Sequence, residues 1–253
     1  MNDLPFELSD IHCHYGECSL LGKTITLPDI YRLIDRVKYR NIVITPLDLA
    51  IKSCNLELDQ VLDKPINIFA FPRVSFTQSD SFSSANKILN KYRHAIGIKF
   101  HPSFDNISVD DQKYDSLFKR LNDHKLIALI HCGRNHPASK SEVVINRASQ
   151  TEYAGVTYVM AHMGGNDLGI SLKTIKKIQE HENIYLDTSN CRTPHIIEEA
   201  VSKLGCRRIF FGSDYPWGSP YSNAYTVIDA DISDDAKKCI LSRNLEQLLS
   251  RYL

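Results

Sequence analysis

The sequence predicts an α/β fold, a barrel in which eight parallel strands alternate with helices, and three observations predict it. Short runs rich in Val, Ile, Phe and Tyr recur eight times, beginning near Glu7, Asn41, Asn67, Ala95, Leu126, Thr157, Asn183 and Arg208. Their spacing averages about 29 residues, close to the size of one βα unit. The later runs, Ile127-Ala128-Leu129-Ile130, Val156-Thr157-Tyr158-Val159-Met160 and Arg208-Ile209-Phe210-Phe211, are almost continuously apolar, as parallel strands covered on both faces are. A chain of 253 residues is also the usual length of one α/β barrel and a tight fit for two ordinary domains, so residues 1–253 read as one domain.

The helices announce themselves by their ends. After the first run, Thr26-Leu27-Pro28-Asp29 has the form of a capping box, and Ile30, Leu33, Ile34 and Val37 follow as one apolar stripe. Ser108 and Asp111 repeat that pattern before Tyr114, Leu117, Phe118 and Leu121. Thr193 as N-cap, Pro194 in the first turn and Gly205 just past Leu204 delimit a third helix, with Ile197, Ala200, Val201 and Leu204 as its inner face. Beyond Gly218, Ser233-Asp234-Asp235 starts a helical tail whose Ile240, Leu241, Leu245, Leu248 and Leu249 are expected to pack on the outside of the barrel.

Composition excludes several function classes. Thirty Lys+Arg balance thirty Asp+Glu, so no global field draws the chain to nucleic acid or to an anionic membrane. No window reaches the ~18 apolar residues of a membrane span, and the N-terminus has neither a basic start nor an apolar run, which predicts a cytoplasmic protein. Seven scattered cysteines with no CxxC pair predict reduced, buried thiols in place of disulfides or a cysteine zinc site. Neither GxGxxG nor GxxxxGK[ST] occurs, so a nucleotide cofactor is not expected.

In such a barrel the active site lies at the C-terminal ends of the strands, and here those ends are rich in histidine although only 10 of 253 residues are His. The first run ends Asp10-Ile11-His12-Cys13-His14, the fourth holds Lys99-Phe100-His101-Pro102, and the fifth ends His131-Cys132-Gly133. The sixth ends His162-Met163-Gly164-Gly165 and the eighth Ser213-Asp214-Tyr215-Pro216. Residues two apart on a strand share a face, so His12 and His14 can present two imidazoles to one point, with Cys132 turned away from His131. His131 and Asp214 complete an N3O set suited to a divalent ion, zinc or manganese, with a position open for water. Lys99 and Arg134 are candidates for an anionic substrate group, Asp187 is the internal rival for Lys99, and Tyr215 and Trp217 can wall the pocket. His101 is read as lining its loop, and His94, His124, His136, His181 and His195 as surface residues.

This constellation resembles the amidohydrolase superfamily, most closely its aminocarboxymuconate semialdehyde decarboxylase-like branch, over nearly the whole chain. Ile98-Lys99-Phe100-His101-Pro102, Tyr185-Leu186-Asp187-Thr188-Ser189 and Arg243-Asn244-Leu245-Glu246-Gln247-Leu248-Leu249 are similar to the branch's fourth-strand, seventh-strand and closing-helix motifs. The resemblance implies a distorted (β/α)8 TIM barrel of the metal-dependent hydrolase type, with His12, His14, His131 and Asp214 as ligands and His162 as a catalytic histidine beside them. In binuclear members of the wider superfamily a strand-four lysine is carbamylated and bridges two metals, while in this branch it is usually not a ligand. The expected function is hydrolysis of a small, carboxylate-bearing lactone, amide or ester by a metal-activated water, with Asp214 taking its proton and His162 serving the oxyanion. Non-oxidative decarboxylation of a small aromatic or enol acid is the alternative, and a non-catalytic metal-binding barrel a further one. A metal-dependent deoxyribonuclease is disfavoured because Lys99 stands where such enzymes usually carry glutamate. The expected partners are a small-molecule substrate and, where a second subunit completes the pocket, another copy of the chain in a homo-oligomer.

Overall fold

In a computed structural model, residues 4–18, 21–47, 67–75, 77 and 81–253 are described. Eight parallel strands appear where the eight apolar runs lie: β1 (Leu8–Cys18), β3 (Tyr39–Pro46), β4 (Ile68–Ala70), β5 (Gly97–Phe100), β6 (Ile127–Ile130), β7 (Thr157–Met160), β8 (Ile184–Asp187) and β9 (Ile209–Phe210). The short β2 (Lys23–Ile25) is antiparallel to the end of β1. Hydrogen bonding divides them into two sheets, ordered β2-β1-β3-β4 and β5-β6-β7-β8-β9. Backbone bonds cross both seams. Ile96 N donates to Ala70 O (3.2 Å) and Lys99 N to Pro72 O (3.0 Å) on one side, and Ile11 N donates to Phe211 O (3.0 Å) and Asp214 N to His12 O (2.7 Å) on the other.

Alternation along the strands creates two apolar layers. Ile11, Val43, Phe69, Ile127, Leu129, Val159 and Phe210 pack together in the barrel interior, while Ala128, Ile130, Tyr158 and Leu186 face the surrounding helices. The parity of β6 carries His131 inward after Leu129 and leaves Cys132 in the outer layer with Ile130. Gly97 lies so close to β6 that a Cβ would stand 2.1 Å from Ile127 O, which is why that position of β5 has no side chain.

The helices cover this sheet. α1 (Leu27–Val37) has the expected capping box between Thr26 and Asp29 and buries Ile30, Leu33 and Val37, with Ile34 partly buried at the edge. Around the ring follow α2 (Ser81–Lys91), α3 (Pro102–Asp105), α4 (Asp115–Asp123), α5 (Ser141–Ala148), α6 (Leu168–Lys177), α7 (Pro194–Leu204), α8 (Pro220–Ile228), α9 (Asp234–Lys238) and α10 (Asn244–Leu249). Three expectations are corrected in detail. Asp111 caps a short 3-10 turn, Gln112–Tyr114, by itself, because Ser108 turns its hydroxyl to Asp110. The buried face of α7 is Ile196, Ile197 and Ala200, rotated from the expected stripe so that Val201 and Leu204 are only partly covered. Leu245, Leu248 and Leu249 of α10 join the interior layer and close the base of the barrel, where exposed strand ends need apolar cover. Ile240 and Leu241 do pack in the outer layer as expected.

Four cysteines, Cys13, Cys18, Cys132 and Cys191, are buried and free, whereas Cys206 and Cys239 are half-exposed, and Cys54 lies outside the described residues. No helix of the described residues is long and apolar enough to cross a membrane.

Candidate metal centre

The pairing of β1 with β3 slips between Asp10 and Cys13, a bulge that lets the strand turn its last histidines into the barrel mouth after Ile11 has filled the interior. His12 Nε2 and His14 Nε2 come within 3.1 Å of each other. Asp214 completes a triangle, its Oδ1 3.2 Å from His12 Nε2 and 3.0 Å from His14 Nε2. Asp214 sits at φ 53°, in the left-handed region that aspartate tolerates better than most residues, just past β9. Ligand atoms bound at about 2.0–2.2 Å to one ion stand roughly 3.0–3.6 Å apart, so the three sides of this triangle fit a single divalent cation.

The chemistry of the three groups fits that charge. His12 Nδ1 lies 2.8 Å from Asp187 Oδ2, so the ring proton belongs on Nδ1 and the Nε2 lone pair faces the triangle. Burial, and then the neighbouring Lys99 amine, hold His12 down to about 4, which keeps the imidazole neutral. Burial pushes Asp187 up, but the His12 ring beside it holds the carboxyl below the usual range. Asp214 presents Oδ1 to the imidazoles while its Oδ2 accepts a hydrogen bond from Asn190 Nδ2 at 2.6 Å. Beneath these groups Asp10, with its oxygens bonded by His12 N, Ser213 N and the Tyr39 hydroxyl, ties the end of β1 to the loop that carries Asp214.

His131 stands beside the triangle and makes its contacts elsewhere. Its Nδ1 is 3.1 Å from His162 Nε2, and its ring stacks on His101 with centroids 4.0 Å apart and planes 12° apart. Burial, followed by the His162 ring, keeps His131 well below the usual imidazole range. The structure therefore brings His12, His14 and Asp214 together and pairs His131 with His162. His162, at φ 59°, is fixed from three directions: Asp187 Oδ1 accepts from its backbone N (3.0 Å), and Nδ1 meets Ser189 Oγ (2.8 Å) and Ser189 O (3.2 Å).

Lys99 is 1% exposed, and its Nζ lies 2.7 Å from His12 Nε2, so the amine shares the small volume of the triangle. Burial pulls Lys99 down to about 8, against the opposing charges of Asp214 and Asp187. Asp187, the internal rival for Lys99, has its carboxylate taken up by His12, His162 N and Ser189.

These groups open into a cavity of about 440 Å³, rimmed by Phe104, Trp217 and Leu47 and bordered by Arg134. Arg134 is largely exposed and pairs with Asp167 at 3.3 Å. Trp217 walls the pocket as expected, while Tyr215 faces a separate depression beside Asp29 and Arg36. His136, read from the sequence as a surface residue, lines the cavity and accepts from Ala138 N, because the turn after Gly133 folds back over the mouth. Ser189, which stands in the seventh-strand motif but carries no role there, and Asn190, which the motif omits, orient His162 and Asp214. The one signal available was their place directly after β8 and Asp187.

The amidohydrolase family profile matches residues 36–251. No protein of curated function matches the chain. Among solved structures, a dihydroxybenzoic acid decarboxylase from a Polaromonas species, holding manganese and 2-nitroresorcinol, has a TM-score of 0.74 at 16% identity, covering 97% of each chain. A 5-carboxyvanillate decarboxylase from Sphingomonas paucimobilis has a TM-score of 0.73 at 11% identity over 97% of this chain and 99% of its own. A candidate 2-pyrone-4,6-dicarboxylic acid hydrolase from Pseudomonas putida has a TM-score of 0.73 at 13% identity over 99% of this chain and 100% of its own. At these identities the likeness shows a shared barrel fold.

Proposed function

The chain belongs to the amidohydrolase family, and from that premise we propose that it is a metal-dependent decarboxylase of a small aromatic or enol carboxylic acid. The observation that carries this reading is the position of Lys99 Nζ, 2.7 Å from the metal-facing nitrogen of His12. An ammonium group and a divalent cation in so small a volume add more positive charge than the Asp214 carboxylate alone offsets, and a substrate carboxylate has two oxygens with which to meet both.

His12, His14 and Asp214 would hold the ion, with His131 the candidate fourth ligand, and zinc or manganese suits two imidazoles and a carboxylate. When bound, the ion supplies a Lewis acid for a substrate oxygen and lowers the pKa of coordinated water. Lys99 pairs with the substrate carboxylate and aligns it. Phe104 and Trp217 offer flat apolar walls to the remainder of the substrate. As the bond to the carboxylate carbon breaks, CO2 leaves and the electron pair stays on the substrate carbon. That carbon takes a proton that is drawn from solvent and relayed through His162 Nε2, which His131 Nδ1 faces at 3.1 Å. Ser189 O, accepting from His162 Nδ1, keeps Nε2 as the nitrogen through which the proton moves.

Hydrolysis of a lactone, amide or ester by the same residues is the second reading, favoured by the likeness to the candidate pyrone dicarboxylate hydrolase along the full chain. It asks Asp214 to take a proton from water, and the bond from Asn190 to Asp214 Oδ2 works against that. A screen of zinc- and manganese-loaded protein against hydroxybenzoates, enol acids, lactones and amides, recording CO2 and hydrolysis separately, tests the choice. CO2 release from a carboxylic acid is expected, and turnover of a neutral amide without CO2 would replace the first reading by the second.

A further inference from the structure

Cys206 and Cys239 are the two half-exposed cysteines among the described residues, the other four being buried. Cys206 opens the 3-10 turn Cys206–Arg208 that leads from α7 into β9, and Cys239 opens the π-helical turn Cys239–Arg243 between α9 and α10. Although far apart in sequence, their side chains share a hydrogen bond. Asn244 ties the two backbones together at that spacing. Its backbone N–H donates to Cys239 O, the five-residue step of a π turn, while its Nδ2 donates to Cys206 O at 2.8 Å and to Ile209 O at 2.7 Å. Two half-exposed thiols in contact, on backbones bonded to one asparagine, stand where a bond between the sulfurs needs little backbone movement.

The surroundings distinguish the two sulfurs. Cys239 Sγ faces Asp235 Oδ2 at 4.0 Å and receives a hydrogen bond from the Arg243 guanidinium, which also pairs with Asp235 at 2.6 Å. That guanidinium steadies negative charge on the Cys239 sulfur, and the thiolate is the attacking form in thiol–disulfide exchange. Burial, and then the hydrogen bond to Cys239, push Cys206 up, so Cys206 keeps its proton longer.

We propose that Cys206 and Cys239 form a reversible disulfide, with a small-molecule disulfide as the oxidant, and that the bond clamps the entry of β9 onto the segment between α9 and α10. The Cys239 thiolate attacks one sulfur of the oxidant, forms a mixed disulfide and expels the other half as a thiolate. Cys206 gives its proton to that departing thiolate and attacks the Cys239 sulfur, which forms the Cys206–Cys239 bond and expels the second half of the oxidant. The protein thiols lose two electrons and two protons, and the oxidant leaves reduced, as two thiols. Phe211 N already donates to Ile240 O at 3.0 Å, so the new bond lies beside the contact through which the strand leading to Asp214 rests on this segment.

Incubation of the manganese-loaded protein with oxidised glutathione, followed by peptide mapping without reduction, tests the proposal; manganese leaves thiolates free where zinc would compete for them. One cross-linked peptide pair, Cys206 to Cys239, is expected, and dithiothreitol should reverse it. The melting temperature should rise by roughly 5–10 °C, since the bond closes a loop of about 30 residues. Cys206→Ser should stop at the first step, with glutathione retained on Cys239. Glutathione retained on either cysteine of the parent chain without a cross-link, a cross-link to a different cysteine, or no reaction at all overturns the proposal. A Cys206–Cys239 bond that leaves the melting temperature unchanged overturns the clamp, and a Cys206→Ser chain that takes up no glutathione overturns Cys239 as the attacking sulfur.

Discussion

His12 is the residue on which most of the site converges, since its Nδ1 meets Asp187 and its Nε2 meets His14, Asp214 and Lys99. A carboxylate on the far nitrogen fixes the tautomer and makes the ring a better ligand, and such partners commonly account for 10–100-fold in metal affinity. Asp187→Asn is therefore expected to weaken zinc binding by roughly 10–100-fold in a competitive chelator titration, and unchanged affinity would remove Asp187 from this role. His162 carries the opposite expectation. His162→Ala should keep the metal and lose roughly 100-fold or more in turnover, whereas loss of metal would make it a ligand. The histidines and Asp214 were legible because strand ends in a barrel share one mouth and because HxH places two rings on one face. Ser189 and Asn190 were not, since a serine and an asparagine in a loop carry no periodic signal. Their importance comes from contacts with Asp187, His162 and Asp214, made only once β7, β8 and β9 lie side by side.

At the scale of elements, the strands were the easiest part to read because burial on both faces leaves only apolar residues to build them. Helix ends followed where a side chain caps the backbone, as at Thr26 and Ser233, and were misread at Ser108, whose hydroxyl had a nearer acceptor. The destination of α10 was illegible: its leucines specify an apolar partner but not which one, and the base of the barrel proved to be it. Two substitutions test this packing. Gly97→Ala pushes a methyl into the carbonyl of Ile127 and should separate β5 from β6, lowering the melting temperature by roughly 5–10 °C. Arg147 on α5 is buried, donates to Val109 O (2.9 Å) and Asp111 O (2.8 Å), pairs with Asp115 (2.6 Å) and lies against the rings of Phe118 and Tyr153. Arg147→Ala leaves those acceptors unpaired and should cost about 3 kcal/mol by urea denaturation, and a cost near zero would mean water replaces the guanidinium.

For the whole molecule, the central claim is that eight strand ends, held in register around one apolar interior, assemble a single divalent-metal site from distant parts of the sequence. Barrel closure brings β1 against β9, so His12 and His14 meet Asp214 from the other end of the chain. An ion held by these three residues, as proposed, would join the first and last strands, and its removal should loosen that seam. Chelation is expected to lower the melting temperature by roughly 5–10 °C, from an ion present at about a hundred times its dissociation constant. The most direct measurement is elemental analysis of the reloaded, desalted protein beside His12→Ala and Asp214→Ala. The account predicts about one equivalent of zinc or manganese in the parent chain and less than roughly a tenth of that in either variant. A parent chain that takes up no metal, or variants that retain a full equivalent, would contradict it.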